Sequence, residues 1–313
     1  MPPSYLKLYA SGELRQRADQ AHELLASCRL CPRDCKVNRL AGETGFCKTG
    51  TRAVVASYEP HFGEETPLSG VAGSGTIFFS HCNLGCVFCQ NYEISHGEAG
   101  VKVDSSQLAA MMVSLQKQGC HNINFVTPSH VIPQILAALV LACERGLTIP
   151  LVYNSSGYDS VKSLLLLAGV VDIYMPDFKF SDCQSAKRFC KAADYPDVAK
   201  QAIREMFRQV GDLELDSQGL ALRGLLVRHL VMPGGLNEAE EIFDFLAGLS
   251  PDIYLNVMEQ YHPCFHAAEY PPLDKPLAPG EFEQAKQAAR MRGLHRLEEG
   301  GMERLLARFL SGK

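Results

Sequence analysis

Short apolar runs recur along the chain from residue 76 onward: Thr76-Ile77-Phe78-Phe79, Asn122-Ile123-Asn124-Phe125-Val126, Leu151-Val152-Tyr153-Asn154, Val171-Asp172-Ile173-Tyr174-Met175, Leu225 to Val231 and Ile253 to Met258. Their length and their β-branched and aromatic content predict buried strands. Between them lie segments that read as helices: 131–145, 160–168, polar stretches through Val210, 237–249 and 279–292. Strands separated by helices predict βαβ units and a parallel sheet, here of six strands. Upstream, Leu14, Ala18, Ala21, Leu24 and Leu25 recur at helical spacing, so 1–27 predicts a packing helix. Val54 to Tyr58 predicts a short strand. His61, Glu64 and Glu65 then fall in a loop that helps to cover a site. Residues 267–278 are proline-rich and predict a loop. Met302 to Leu310 reads as an amphipathic helix that covers the sheet's lower end or meets a partner.

The stretch directly after the first of these strands carries the chemistry. His81-Cys82-Asn83-Leu84-Gly85-Cys86-Val87-Phe88-Cys89-Gln90-Asn91 holds three cysteines spaced C-x3-C-x2-C. Asn83, Gly85 and Asn91 make it a loop. Three soft thiolates leaving one strand end together suit an iron–sulfur cluster. A four-iron cube would keep one iron free of a local ligand and open to a substrate or cofactor. Zinc loops usually come as paired CxxC, and three thiols in a polar loop make a poor core.

A second group, Cys28, Cys31, Cys35 and Cys47, is spaced C-x2-C-x3-C-x11-C. Four thiolates satisfy either structural zinc or a second iron–sulfur cluster. Neither the paired zinc ribbon nor a ferredoxin spacing matches, so the metal stays open. Unligated thiols or a redox CxxC are the bland readings. Arg29, Arg33, Lys36, Arg39, Lys48 and Arg52 around them read as a solvated basic face.

Composition narrows the class. The chain has 313 residues, 46% hydrophobic and 21% charged, with a net charge of −5. That is ordinary for a globular protein and gives no global pull toward nucleic acid or an anionic membrane. The longest apolar run, Val131 to Cys143, is interrupted by Pro133 and Gln134 and is too short to span a bilayer. No apolar signal core opens the chain, so a soluble, cytoplasmic protein is expected. Twelve cysteines in that setting point to metal binding over disulfides. Cys120, Cys143, Cys183, Cys190 and Cys264 read as spare thiols.

With these residues in place, the sequence resembles the radical S-adenosylmethionine superfamily. The lead-in Gly73-Ser74-Gly75-Thr76 and the exit Gln90-Asn91-Tyr92 resemble the branch related to pyruvate formate-lyase activating enzyme. The resemblance covers roughly residues 73–265. It implies an α/β fold, an incomplete (β/α)6 barrel at 73–313, with a small N-terminal cysteine-rich metal-binding extension at 1–72. It implies a 4Fe-4S cluster on Cys82, Cys86 and Cys89 whose open iron chelates S-adenosylmethionine. One-electron cleavage would then yield a 5′-deoxyadenosyl radical that abstracts hydrogen. Implied partners are a one-electron reductant such as flavodoxin or ferredoxin, and a glycyl radical enzyme as protein substrate. The alternatives are radical modification of a small molecule or peptide, a non-catalytic iron–sulfur carrier or sensor, and a zinc-stabilised binding module.

Functional groups in parallel α/β sheets sit at the C-terminal strand ends. The second strand ends at Thr127 and Ser129, where the family has Gly-Gly-Glu touching the amino group of S-adenosylmethionine. Here hydroxyls or backbone carbonyls accept instead, or Ser129 caps a helix. Asn154 and Ser156 at the third strand hold ribose, carboxylate or a cation, or form a plain turn. Asp177 and Lys179 at the fourth resemble a Leu-Asp-Leu-Lys stretch. Arg228 in the fifth resembles the Arg of an Arg-Tyr-Val-Val-Val-Pro-Gly stretch. As a charge in an apolar strand it needs a partner, either the S-adenosylmethionine carboxylate or Glu259 or Asp177. His229 faces the other way and reads as core. His262 carries over as an adenine-side contact, and Tyr261 stacks or packs.

Overall fold

Each apolar run becomes a strand in the computed structural model, which describes residues 2–236 and 238–298. The tail helix expected at 302–310 lies outside the described residues. The chain opens with α1 (Tyr5–Ala10) and α2 (Glu13–Glu23), followed by β1 (Ala53–His61), α3 (Thr66–Ser69) and β2 (Ser74–Phe79). After the cysteine loop come α4 (Tyr92–Ser95), β3 (Val101–Val103) and α5 (Ser105–Lys117). Next are β4 (Ile123–Val126), α6 (Ile132–Glu144), β5 (Leu151–Ser155), α7 (Val161–Leu166) and β6 (Ile173–Pro176). The rest is α8 (Cys183–Cys190), α9 (Tyr195–Val210), β7 (Glu214–Leu215), β8 (Ala221–Leu230), α10 (Ala239–Leu249), β9 (Tyr254–Met258) and α11 (Glu281–Met291).

Strands β2, β4, β5, β6, β8 and β9 run parallel, each bonded to the next in that order. They are the six strands expected, and a helix connects each successive pair. Buried on both faces, parallel strands lose the alternating pattern and read as continuous apolar runs. Leu151 to Ser155 is buried throughout. Helix α5 packs on β1, β2 and α6, while α9 packs on β6 and β8.

Three features depart from expectation. The helix expected over 1–27 breaks at Ser11-Gly12, where Gly12 has φ +80°, a left-handed conformation that a helix interior does not accept. Helix α5 was not expected. It is closed by a capping box in which Asp104 and Gln107 bond each other's backbone, and it buries Leu108, Ala109, Met112, Val113 and Leu115. The short strand expected at 54–58 extends to His61 and pairs antiparallel along β2, with β3 on its outer edge. Residues before the boundary expected at 72/73 thus belong to the same sheet as those after it.

Two core histidines make the fold sensitive to acid. His130 bonds the Ser80 carbonyl at 3.0 Å, and His229 bonds that of Phe178 at 2.8 Å. Burial pulls them down to about 3 and about 4, against an ordinary value near 6.5. An unfolded chain takes up these protons first, so this stability is full above about pH 6.5 and is lost as pH falls toward 4. Glu64 works the other way. Burial and the adjacent Glu65 push it up to about 7, so its contribution is full below about pH 4.5 and is lost as pH rises through 7. Burial also raises Asp159 and Asp172, which work in the same direction as Glu64. Because the two histidines shift furthest, acidification from pH 7 to 4.5 is expected to lower the urea midpoint. A midpoint that rises over that range would contradict the assignment.

Candidate functional site

The C-terminal ends of adjacent strands converge because their register is nearly level. Phe78 pairs with Val126, Val126 with Asn154, and Asn154 with Met175. A bridge between Asp177 and Arg228 continues the row past the end of β6. The cysteine loop leaves β2 at the same edge. Cys82, Cys86 and Cys89 line one cavity of about 230 Å³ together with Thr127, Asn154, Ser156, Asp177, Lys179 and Arg228.

A salt-bridge network forms one wall of this cavity. Arg228 Nε donates to Asp177 Oδ1 at 2.9 Å, and its Nη2 donates to Asn154 Oδ1 at 2.7 Å. Lys179 Nζ donates to the other Asp177 oxygen at 2.6 Å. Burial pushes the Asp177 carboxyl up, but Arg228 and Lys179 together outweigh it and hold it below the usual carboxylate range. Burial pulls Lys179 down; Asp177 and Cys86 more than restore it. Of the partners expected for Arg228, Asp177 is the one found; Glu64 and Glu65 join it at 3.8 and 3.9 Å, and Glu259 does not. Glu64 and Glu65, expected in a covering loop, are buried just past β1. Gly157 lets the backbone pass close behind this network. It has φ +77°, and a Cβ there would lie 2.2 Å from the Asp177 carbonyl.

The cysteine loop is pinned from outside. Cys82 Sγ accepts from the Leu84 N–H at 3.3 Å, and Cys89 Sγ lies 3.1 Å from Ser95 Oγ. Cys86 Sγ lies 3.3 Å from Cys190 Sγ, so Cys190, expected as a spare thiol, touches the site. Arg33 reaches across from the N-terminal cysteine segment. Its guanidinium donates to the carbonyls of Asn83, Lys191 and Cys190 and stacks 3.9 Å from the Phe46 ring centroid.

Burial pushes the Cys82 thiol up to about 12 and raises Cys89; the contact with Cys190 is the largest cause for Cys86. Such thiols give up protons only to a metal that takes their place. Among the described residues, no three His, Cys, Asp or Glu side chains are grouped to hold a metal ion. A cubane does not need them to converge, because each cysteine takes a different iron. The three-thiol donor set in one cavity therefore fits a multi-iron cluster better than a lone ion.

In the N-terminal group, Cys28, Cys31 and Cys47 are buried and Cys35 is half-buried. Burial pushes Cys31 up to about 12. Arg39 was expected on a basic face. Instead it is 2% exposed and donates to Cys47 Sγ at 3.3 Å and to the His130 carbonyl at 2.8 Å.

Two expected contacts lie elsewhere. His262 is exposed and does not line the cavity. Tyr261 turns inward, bonding the Leu273 carbonyl at 2.6 Å, so its neighbour in the extended chain turns out. Ser129 is buried against Asp159 and Tyr153, away from the cavity, and the N-cap of α6 is Val131. Among the described residues, no helix is long and apolar enough to cross a membrane.

No family model matches the chain. Among solved structures, TYW1 with a lysine-pyruvate adduct bound is 10% identical, with a TM-score of 0.43 over 69% of this chain and 72% of that one. QueE from Escherichia coli is 13% identical, with a TM-score of 0.42 over 83% of this chain and 97% of that one. The uncharacterized protein MJ0674 of Methanocaldococcus jannaschii is 32% identical over 280 residues, spanning 87% of this chain and 77% of that protein. At that identity and coverage, the chain belongs to the family of MJ0674.

Proposed function

We propose that this protein is a radical S-adenosylmethionine enzyme. The observation that carries the reading is that Cys82, Cys86 and Cys89 line one cavity with Asp177, Lys179 and Arg228 at the C-terminal edge of a parallel sheet. In this reading the sheet and its helices form the partial (β/α)6 barrel, and 1–72 forms the cysteine-rich extension. Cys82, Cys86 and Cys89 hold the 4Fe-4S cluster. When bound and reduced, that cluster supplies the electron that cleaves S-adenosylmethionine to methionine and a 5′-deoxyadenosyl radical able to abstract hydrogen.

The chain's own residues bind and orient. Lys179 spends one of its three N–H donors on Asp177 and keeps two for a carboxylate in the cavity. Arg228 is held by Asp177 and Asn154, so its role is to fix the wall. Asn154, Ser156 and Thr127 offer oxygens to ribose or an ammonium. His262 remains in the reading as a rim contact, and Ser129 as a buried hydroxyl behind the wall. Cys28, Cys31, Cys35 and Cys47 hold a second metal, zinc or an iron–sulfur cluster. Hydrogen abstraction of the kind that activates a glycyl radical enzyme is the finer activity, with a flavodoxin or ferredoxin as reductant.

The test is anaerobic reconstitution with iron and sulfide, reduction, and chromatographic detection of 5′-deoxyadenosine and methionine from S-adenosylmethionine. Equimolar formation of both products is expected. An intact cluster that leaves S-adenosylmethionine uncleaved would turn the reading to an electron carrier or sensor.

A further inference from the structure

A second cavity, of about 480 Å³, adjoins the cysteine cavity and shares Asn154, Arg228 and Met258 with it. Its other walls include Glu64, Glu65, Glu259, Phe78 and Phe282. Five ionisable groups meet at the junction: Asp177, Glu64 and Glu65 face Lys179 and Arg228, and none is more than 17% exposed. With all five ionised, three carboxylates oppose two cations, and the excess is relieved only by a proton that Glu64 holds against Glu65. Burying an unmatched charge is costly.

The excess has a location. Glu65 Oε1 accepts from Asn256 Nδ2 at 2.8 Å, but Glu65 Oε2 is buried without a hydrogen-bond partner. The Glu64 carboxylate approaches Arg228 no closer than 3.8 Å, too far for a hydrogen bond. Glu64 and Glu65 therefore line the cavity as an adjacent buried pair that shares a proton and has no cation closer than 3.8 Å. Glu298, also in that wall, is already engaged by Thr66 and Tyr254. Glu259 adds a negative charge at the exposed rim.

We propose that this second cavity is the substrate pocket and that it takes a primary ammonium group, with Glu64 and Glu65 as its acceptors. An ammonium carries three donors and one positive charge, so it can take the place of that proton and serve both carboxylates. A carboxylate or phosphate ligand would add to the excess negative charge. The shared residues place the ammonium-bearing molecule next to the cavity of the three cysteines. The binding claim stands on this geometry; only the hydrogen abstraction that follows rests on the radical reading above.

The test is calorimetry on the anaerobically reconstituted holoprotein at pH 7.5. The probes are n-butylamine and a capped Gly-Lys-Gly peptide, with n-butanol and butyrate as neutral and anionic controls. The amines are expected to bind roughly tenfold to a hundredfold more tightly than n-butanol, the range of one charge-assisted contact. Tighter binding of the free amine would mark a small-molecule substrate, and of the peptide a lysine side chain. Glu65→Gln is expected to erase the preference while iron content and the thermal transition stay at wild-type values. Should that variant not fold, butylamine affinity at saturating S-adenosylmethionine decides: unchanged affinity upholds a separate substrate pocket. One-for-one competition overturns it, by giving the carboxylates to the cofactor's own amine. Equal affinity for butylamine and n-butanol overturns it too. A protein that binds butylamine but does not cleave S-adenosylmethionine would sink the radical reading and leave the pocket standing.

Discussion

A variant with Cys82, Cys86 and Cys89 all replaced by alanine is expected to lose its oxygen-sensitive visible absorbance and to form no 5′-deoxyadenosine. The three side chains line one cavity, and no other cysteine lines it. Cys190 is the nearest substitute, 3.3 Å from Cys86 Sγ, but it sits at the end of α8 behind the loop. One remaining thiol cannot anchor a cube. Any iron still bound should belong to the cysteines at 28, 31, 35 and 47, so metal analysis of the same variant also reads that second group. Finding neither zinc nor iron there would reduce those four to ordinary thiols. Full iron content with continued cleavage would move the cluster away from the loop.

The second large effect separates two cations that look alike in sequence. Arg228→Leu is expected to cost on the order of 3–5 kcal/mol of stability, because it leaves Asp177, Glu64 and Glu65 facing Lys179 alone. Adding Asp177→Asn should recover part of that loss, with a coupling of about 0.5–3 kcal/mol in the double-mutant cycle. Lys179→Met should behave differently. Asp177 keeps Arg228, so the fold holds, while affinity for S-adenosylmethionine falls roughly tenfold to a hundredfold. Unfolding curves and equilibrium binding at matched iron content check both. Unchanged affinity in the Lys179 variant would take that side chain out of the cofactor site.

The sheet was legible because its strands are buried on both faces, which writes each one as an apolar run. Thr76 to Phe79 and Leu151 to Asn154 needed no partner to be recognised. Helix α5 was legible in principle: Asp104 and Gln107 stand three apart just ahead of Leu108, Ala109, Met112 and Val113. The site was harder. Glu64 and Arg228 are distant in sequence and meet only because β1 folds back along β2, a pairing that local pattern does not carry. Arg33 and Arg39 sat among other basic residues, and charge alone does not tell an exposed face from a cation turned inward. His262 is turned outward by alternation: its neighbour Tyr261 takes the inward position.

The reach of Arg33 has a consequence for biosynthesis. The cysteine loop is complete once residue 91 has been made, but two of the three carbonyls that Arg33 grips belong to Cys190 and Lys191. At ribosomal rates of about 5–20 residues per second, that gap of roughly 100 residues takes on the order of 5–20 s. During that interval the three thiols exist without the clamp, open to oxidation and to stray metals. The emerging chain therefore has a window in which the loop is unclamped, and cluster delivery that waits for residue 191 meets a loop that Arg33 can hold.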